Sequence, residues 1–386
     1  MTPLYADRVA AALSARGDDF KDAQKDLQAN LQALQEALDE FSVMSSVEVD
    51  ALISEVGRPG ARTTTEQDDL PFIVPFGGRW DHHREAREWA AEMLSNVTTF
   101  AADGSQIFPS TEMSIPVGLV QIGWFENPHD GAGSYIKDVQ VEVLTPDDLD
   151  EQFEPGYAER EIEWRRFYGE VRRTIAFMEA HAGQPALAFF DGSLILSFVH
   201  TMREARQRHY IQAINRLIDA SEATGVPLVG YVDTSHAADL TTLLTYTTRY
   251  RGGRVGDAAL LRMRMQWGDR CRLFVCSRDD EVTDNAYYER VVFTYLKSTR
   301  TNPPARIELP RWIFESGQHE WVLDIVRAEC VVGVGYPYPL ETADAVAVLS
   351  MQDRERFYRL FQEFADRHNI AVRYSRKALH KRRRRV

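Results

Sequence analysis

Cysteine is scarce: Cys271, Cys276 and Cys330 are the only three in 386 residues. They form no C-x-x-C pair, which argues against a zinc ribbon and fits a reducing compartment. No apolar run reaches the length of a membrane span, and the N-terminus lacks the charged-then-apolar layout of a secretory signal. The expectation is a cytoplasmic protein with no membrane partner. The sequence G-x-x-x-x-G-K-[ST] is also missing, which argues against ATP hydrolysis by a P-loop. Positive charge is in deficit, with a formal net charge of −13. That balance argues against wholesale coating of nucleic acid but leaves room for a local basic channel.

The apolar fraction of 44% and charged fraction of 27% are those of a soluble globular chain long enough for one elaborated domain or two. From Phe20 the spacing Phe20, Leu27, Leu31, Leu34, Leu38, Phe41 predicts a helical seam, packed on the chain's own core or on a partner. The composition from Arg58 to Thr65 reads as a linker that ends this N-terminal helical segment. His82 and His83 invite a metal reading. Adjacent residues on a helix point about 100° apart, however, so the structural reading wins, with Asp81 as a helix cap. The run Lys377, His380, Lys381 and Arg382 to Arg385 is either a solvated tail or an arm for phosphate or an acidic partner.

The informative stretch is Leu187-Ala188-Phe189-Phe190-Asp191-Gly192-Ser193. A short apolar run reads as a strand buried on both faces, ending in an acid and a residue that turns freely. Such an acid either accepts hydrogen bonds from its own turn or faces a ligand. The pattern recurs at Thr98 to Ser105, around Asp103, and at Pro227 to Ser235, around Asp233. Between these lie two strands predicted to pair antiparallel, Ile115–Phe125 and Tyr135–Leu144. A long helix follows over residues 155–181, with Trp164, Phe167, Val171, Ile175 and Met178 as its apolar seam and Glu170 one position from it. Another helix is predicted from Thr201 to Thr224. Further strands are expected at 271–276, 290–297 and 307–309. After a helix near Trp321–Glu329, the Gly/Pro/Tyr loop 331–340 opens a helix carrying Glu341 and Asp344. In an open α/β sheet ligands gather at the carboxyl ends of the strands, where the acids are expected.

Two carboxylates about 4 Å apart repel by roughly 4 kcal/mol at an effective dielectric near 20. Several converging acids therefore imply protonation or a bound cation. An oxygen-only set selects a hard ion, Mg²⁺ or Mn²⁺. Two such ions about 3.5–4 Å apart are the usual apparatus of phosphodiester hydrolysis. Phosphate-binding cations would come from Arg165 and Arg166, Arg172 and Arg173, Arg203, Arg206 and Arg208, or the group around Arg249. For any one cluster a solvated helix face is the more frequent explanation. Tyr336 and Tyr338 would stack bases or orient phosphate, with core packing as the alternative for either.

Ala102-Asp103-Gly104-Ser105-Gln106, Phe190-Asp191-Gly192-Ser193-Leu194 and Gly335-Tyr336-Pro337-Tyr338-Pro339-Leu340 resemble, in that order, the motifs of the NurA nucleases. The resemblance runs from about Trp80 to Val348. It implies an α/β fold with an RNase H-like mixed sheet flanked by helices, preceded by an N-terminal helical segment. The corresponding division is residues 1–60, a nuclease domain over 75–370 and a basic tail over 371–386. It further implies a homodimer that cuts single-stranded DNA and resects duplex ends 5′ to 3′ with manganese, beside a hexameric HerA-like ATPase. Asp103 and Asp191 match the family's core metal-binding aspartates. Glu170 matches its helix glutamate, with Glu163 as the alternative, and Asp233 matches a less uniform position. Members carry a metal-binding histidine where this chain has Asp344, a departure that bears on metal preference and pH dependence. Rival readings are a non-catalytic adaptor of the ATPase and an RNA-cutting relative of the same fold.

Overall fold

A computed structural model describes residues 4–78, 80, 82–150, 156–278 and 287–373. The predicted Asp81 cap and the basic run after Lys377 lie outside these residues. The chain divides into two compact units: Met1–Arg79 with Asp233–Ile307, and Trp80–Val232 with Glu308–Val386. Strands in chain order are β1 (Gly60–Thr63), β2 (Ile73–Val74), β3 (Thr98–Ile107), β4 (Gly118–Asn127), β5 (Ile136–Leu144), β6 (Ala186–Asp191), β7 (Leu228–Val232), β8 (Arg270–Cys271), β9 (Phe274–Ser277), β10 (Val291–Leu296) and β11 (Ala305–Pro310).

In the first unit the helix Gly17–Ser42 buries Leu34, Ala37, Leu38 and Phe41, whereas Phe20 and Leu27 of the predicted seam stay exposed. Phe41 packs edge-on against Phe72, their centroids 6.3 Å apart. The stretch expected to be a linker is instead β1, paired antiparallel with β9 from Gly60↔Ser277 to Thr63↔Phe274. Its glycine and proline content hid a pairing partner more than 200 residues away. Gly60 is required there: its φ is +88°, and a Cβ would fall 2.7 Å from the Asp239 carbonyl oxygen. The strand expected over 271–276 is broken into β8 and β9. Around that break the buried Glu66 carboxylate accepts from both terminal nitrogens of Arg270, at 2.9 and 2.7 Å, and from the Leu273 N–H at 2.7 Å.

The second unit is built on β3, β4 and β5, an antiparallel meander. β6 joins the free side of β3 in parallel, and β7 joins β6 in parallel. The resulting order, β5-β4-β3-β6-β7, is the RNase H-like arrangement, with helices Tyr157–Ala180 and Glu204–Thr224 as the crossovers. Parallel strands covered on both faces need apolar side chains at every position. β6 supplies them, with Ala186, Leu187, Ala188 and Phe189 all buried. Phe100 of β3 stacks on Phe177 of the Tyr157–Ala180 helix at 4.4 Å, fixing that helix to the sheet. The remaining helices of this unit include His83–Leu94, His319–Val332, Tyr338–Ala347 and Met351–Arg367.

Candidate active site

β3 and β6 run in parallel register up to Ala102↔Phe190. The next residue on each strand is an aspartate, so the register sets Asp103 and Asp191 side by side. Asp191 is the last residue of β6 and is exposed. Asp103 is not at a strand end, as the sequence suggested. β3 continues to Ile107 because its pairing with β4 goes on to Ile107↔Leu119. What ends at Asp103 is its parallel neighbour.

Side chains alternate along a strand, so the two faces of β3 and β4 deliver different groups to this point. On one face lies the Tyr157–Ala180 helix. A Cβ at Gly104 would fall 2.5 Å from Arg166 Cγ and 2.6 Å from Glu170 Oε1, so the missing side chain is what admits these two residues. On the other face lies the Tyr338–Ala347 helix, which carries Asp344. Here Gly123, opposite Asp103 in register, leaves room: a Cβ would stand 2.7 Å from the Ala347 backbone nitrogen. The Gln121 amide donates to the Ala347 carbonyl at 3.0 Å, tying down the C-terminal end of that helix.

Electrostatics show the convergence directly. Glu170 is buried, and desolvation lifts its pKa to about 8; Asp103 and Asp191 add to the rise, while the Arg166 guanidinium 2.6 Å away opposes it. Asp103 is lifted to about 6, first by burial and then by Asp191 and Asp344, against the Gly104 N–H that favours its anion. The Arg166 guanidinium thus acts on two of the four acids, Glu170 and Asp103. This donor set fits a hard divalent cation: every candidate ligand is a carboxylate oxygen, and two of the four are destabilised in the charged form that such an ion would restore. Among the described residues, no three of these carboxylates bring oxygens all within 4.8 Å of one another. Chelation by three of them therefore needs side-chain rotation.

Tyr336 lies at this site in a role different from base stacking. Its hydroxyl donates to Asp191 Oδ1 at 2.9 Å, and its ring stands edge-on to Tyr231 at 5.2 Å. Tyr338 begins the helix rather than belonging to the loop, and packs edge-on against Phe125 at 5.6 Å. Arg165 is occupied by Glu142 at 2.7 Å, Glu161 at 2.9 Å and Asp148 at 3.6 Å. The Arg173 guanidinium lies 4.1 Å from the Trp124 ring centroid. Of the cationic candidates, Arg166 pairs with one of the site acids, Glu170. The exposed Asp233 falls in the first unit, where it accepts from the Thr234 hydroxyl at 3.3 Å, the local turn contact weighed from the sequence.

One residue escaped the sequence reading. The fully buried Glu308 Oε2 accepts from the Ser193 hydroxyl at 2.8 Å and from the N–H groups of Leu194 at 2.7 Å and Ile195 at 3.2 Å. Its signal was an acid inside the short apolar run Ile307-Glu308-Leu309.

The family model of the NurA domain matches residues 97–349, which hold Asp103, Glu170, Asp191, Asp233, Glu308 and Asp344. The chain belongs to the NurA family of nucleases. Among solved structures it is similar to NurA with manganese, at 9% identity and a TM-score of 0.43, covering 70% of this chain and 89% of that one. It is also similar to the catalytic domain of human Endonuclease V, at 11% identity and 0.34, covering 78% and 93%. A third is Endonuclease V from Bacillus subtilis, at 13% and 0.32, covering 74% and 95%. Comparison with curated proteins gives no match.

Proposed function

We propose that this NurA-family nuclease hydrolyses DNA phosphodiesters with Mn²⁺ or Mg²⁺ held by Asp103, Asp191, Asp344 and Glu170. The observation that carries the reading is the convergence of these four carboxylates, with Glu170 and Asp103 pushed toward protonation by burial and by their acidic neighbours. Bound divalent ions, one or two, would supply a nucleophilic hydroxide and neutralise the developing phosphorane charge. The chain does the positioning. Rigid β3 and β6 fix the Asp103 and Asp191 backbones, Tyr336 orients the Asp191 carboxylate, and Arg166 holds Glu170 in place. Asp344 stands where family members carry a histidine and offers a carboxylate oxygen in its place. In this reading Asp233 serves its own turn and not the ions.

Family membership supports the finer assignments: single-stranded DNA and duplex ends as substrates, 5′ to 3′ exonuclease and single-strand endonuclease action, a homodimer, a cytoplasmic setting and a HerA-like hexameric ATPase as partner. Among the described residues no helix is long and apolar enough to cross a membrane. The test is end-labelled single-stranded DNA, duplex DNA and RNA incubated with wild type and Asp191→Ala in EDTA, Mg²⁺ and Mn²⁺. Metal-dependent DNA cleavage that Asp191→Ala abolishes, with folding retained, is expected. Equal cleavage by the variant overturns the site assignment. Absence of products under every metal, with stable binding to the ATPase, makes the chain an adaptor.

A further inference from the structure

Asp191 sits at a strand terminus, where nothing in the β6 pairing fixes the chain beyond it. The turn that follows is nonetheless held at several points. Gly192 has φ +122°, and its N–H donates to the Tyr231 carbonyl of β7 at 3.0 Å. Ser193 closes the turn on itself: its hydroxyl oxygen accepts from the Ile195 N–H at 3.0 Å, and its one proton lies between the Ile195 carbonyl at 2.9 Å and Glu308 Oε2 at 2.8 Å. A single carboxylate oxygen, Glu308 Oε2, gathers three donors of this same turn. Space for it is reserved: a Cβ at Gly230 would fall 2.9 Å from Leu194 Cγ and 3.1 Å from the Gly192 carbonyl oxygen.

We infer that Glu308 is a positioning residue for the metal site, clamping the Ser193–Ile195 turn so that Asp191 leaves β6 at the angle that meets Asp103. The inference rests on the metal-dependent reading above. A fully buried carboxylate is costly unless donors surround it, and backbone N–H groups aimed at one oxygen are the arrangement that stabilises the anion. A core-filling role would be met more cheaply by an aliphatic residue such as Ile307 or Leu309 on either side of it. The carboxylate is met by donors from Ser193, Leu194 and Ile195, the residues that follow Asp191 and Gly192. Glu308 has no accessible surface.

The test uses the full chain and Mn²⁺, with binding followed by electron paramagnetic resonance of the free ion. Glu308→Gln puts an amide N–H against three donors, or leaves a weaker acceptor in their midst. Ser193→Ala removes one donor and leaves the buried charge. Both variants should bind Mn²⁺ about 10–100-fold more weakly and lose kcat in proportion, as when the supports of ligating residues are removed. KM for DNA and DNA affinity in EDTA should be unchanged. If either variant, folded at the assay temperature, binds Mn²⁺ as wild type does while its melting point falls, Glu308 is a packing residue and the inference fails. If Glu308→Gln does not fold, Ser193→Ala alone decides. Failure of wild type itself to bind Mn²⁺ would instead remove the metal-dependent reading.

Discussion

Glu329, in the His319–Val332 helix, offers the cleanest quantitative test of the second unit's core because it lies apart from the acids of the site. Its carboxyl is fully buried; Oε1 accepts from the Thr99 hydroxyl at 2.7 Å, and Oε2 has no hydrogen-bond partner. His129 Nε2 stands 3.5 Å from Oε1, but it lies 2.9 Å from the Asn127 amide nitrogen, a donor, while Nδ1 faces the Val97 carbonyl at 2.7 Å. The ring is therefore neutral with its proton on Nδ1, and burial lowers its pKa further. With no cation to face, Glu329 is raised from 4.5 to about 8 by desolvation, only partly offset by Thr99. A carboxyl raised in the folded state costs nothing below pH 4.5, where both states are protonated. The penalty grows as pH rises, because the unfolded chain ionises first, and levels off above the folded pKa. At 1.36 kcal/mol per unit, a shift from 4.5 to about 8 costs about 3 kcal/mol at pH 7 and approaches about 5 kcal/mol above pH 9.

Glu329→Gln keeps the carbonyl that Thr99 bonds and replaces one unpaired O–H with two amide N–H groups, an offset that is the same at every pH. Its stability relative to wild type should therefore rise by about 3 kcal/mol from pH 4.5 to pH 7, roughly 6–12 °C in Tm for a unit of this size. Urea unfolding followed by circular dichroism from pH 5 to 9 measures the difference directly. An advantage over wild type no larger at pH 8 than at pH 5 would refute a buried neutral carboxyl. It would show instead that Glu329 is ionised against a protonated His129.

Gly104→Ala should cost about 1–3 kcal/mol by overpacking and depress cleavage further, since its Cβ meets Glu170 Oε1 at 2.6 Å; thermal melts beside cleavage rates check both. Tyr336→Phe separates two roles in one substitution, because phenylalanine still stacks on bases but cannot donate to Asp191. Mn²⁺ affinity or kcat should fall about 10–100-fold with single-strand binding in EDTA unchanged, and the reverse pattern would restore Tyr336 as a base platform.

Local patterns carried most of the second unit. Five consecutive apolar residues made β6 legible, and the alternating three-and-four spacing made the Tyr157–Ala180 helix legible with Glu170 at the border of its buried stripe. What did not show was any property that depends on a distant partner. β1 has the composition of a linker and becomes a strand because β9 pairs with it. Arg165 looked like a phosphate ligand until Glu142 and Asp148, well before it in the chain, were found around it. Glu308 is fixed by a turn more than 100 residues upstream, and no periodicity reports that.

The three acids that looked alike in sequence make the same point more sharply, because the residue after each does different work. After Asp191, glycine supplies a backbone turn: Gly192 has φ +122° and no atom would crowd a Cβ there. After Asp103, glycine supplies no turn, since Gly104 is mid-strand and paired with Ile122; it supplies emptiness, into which Arg166 and Glu170 fit. After Asp233 there is a threonine, and its hydroxyl takes up the carboxylate. Two of the three acids therefore meet for opposite reasons, one because its strand stops and the other because its strand runs on past its parallel neighbour. Alanine at position 192 would thus be limited by backbone strain and alanine at position 104 by collision. Only the latter should displace Glu170.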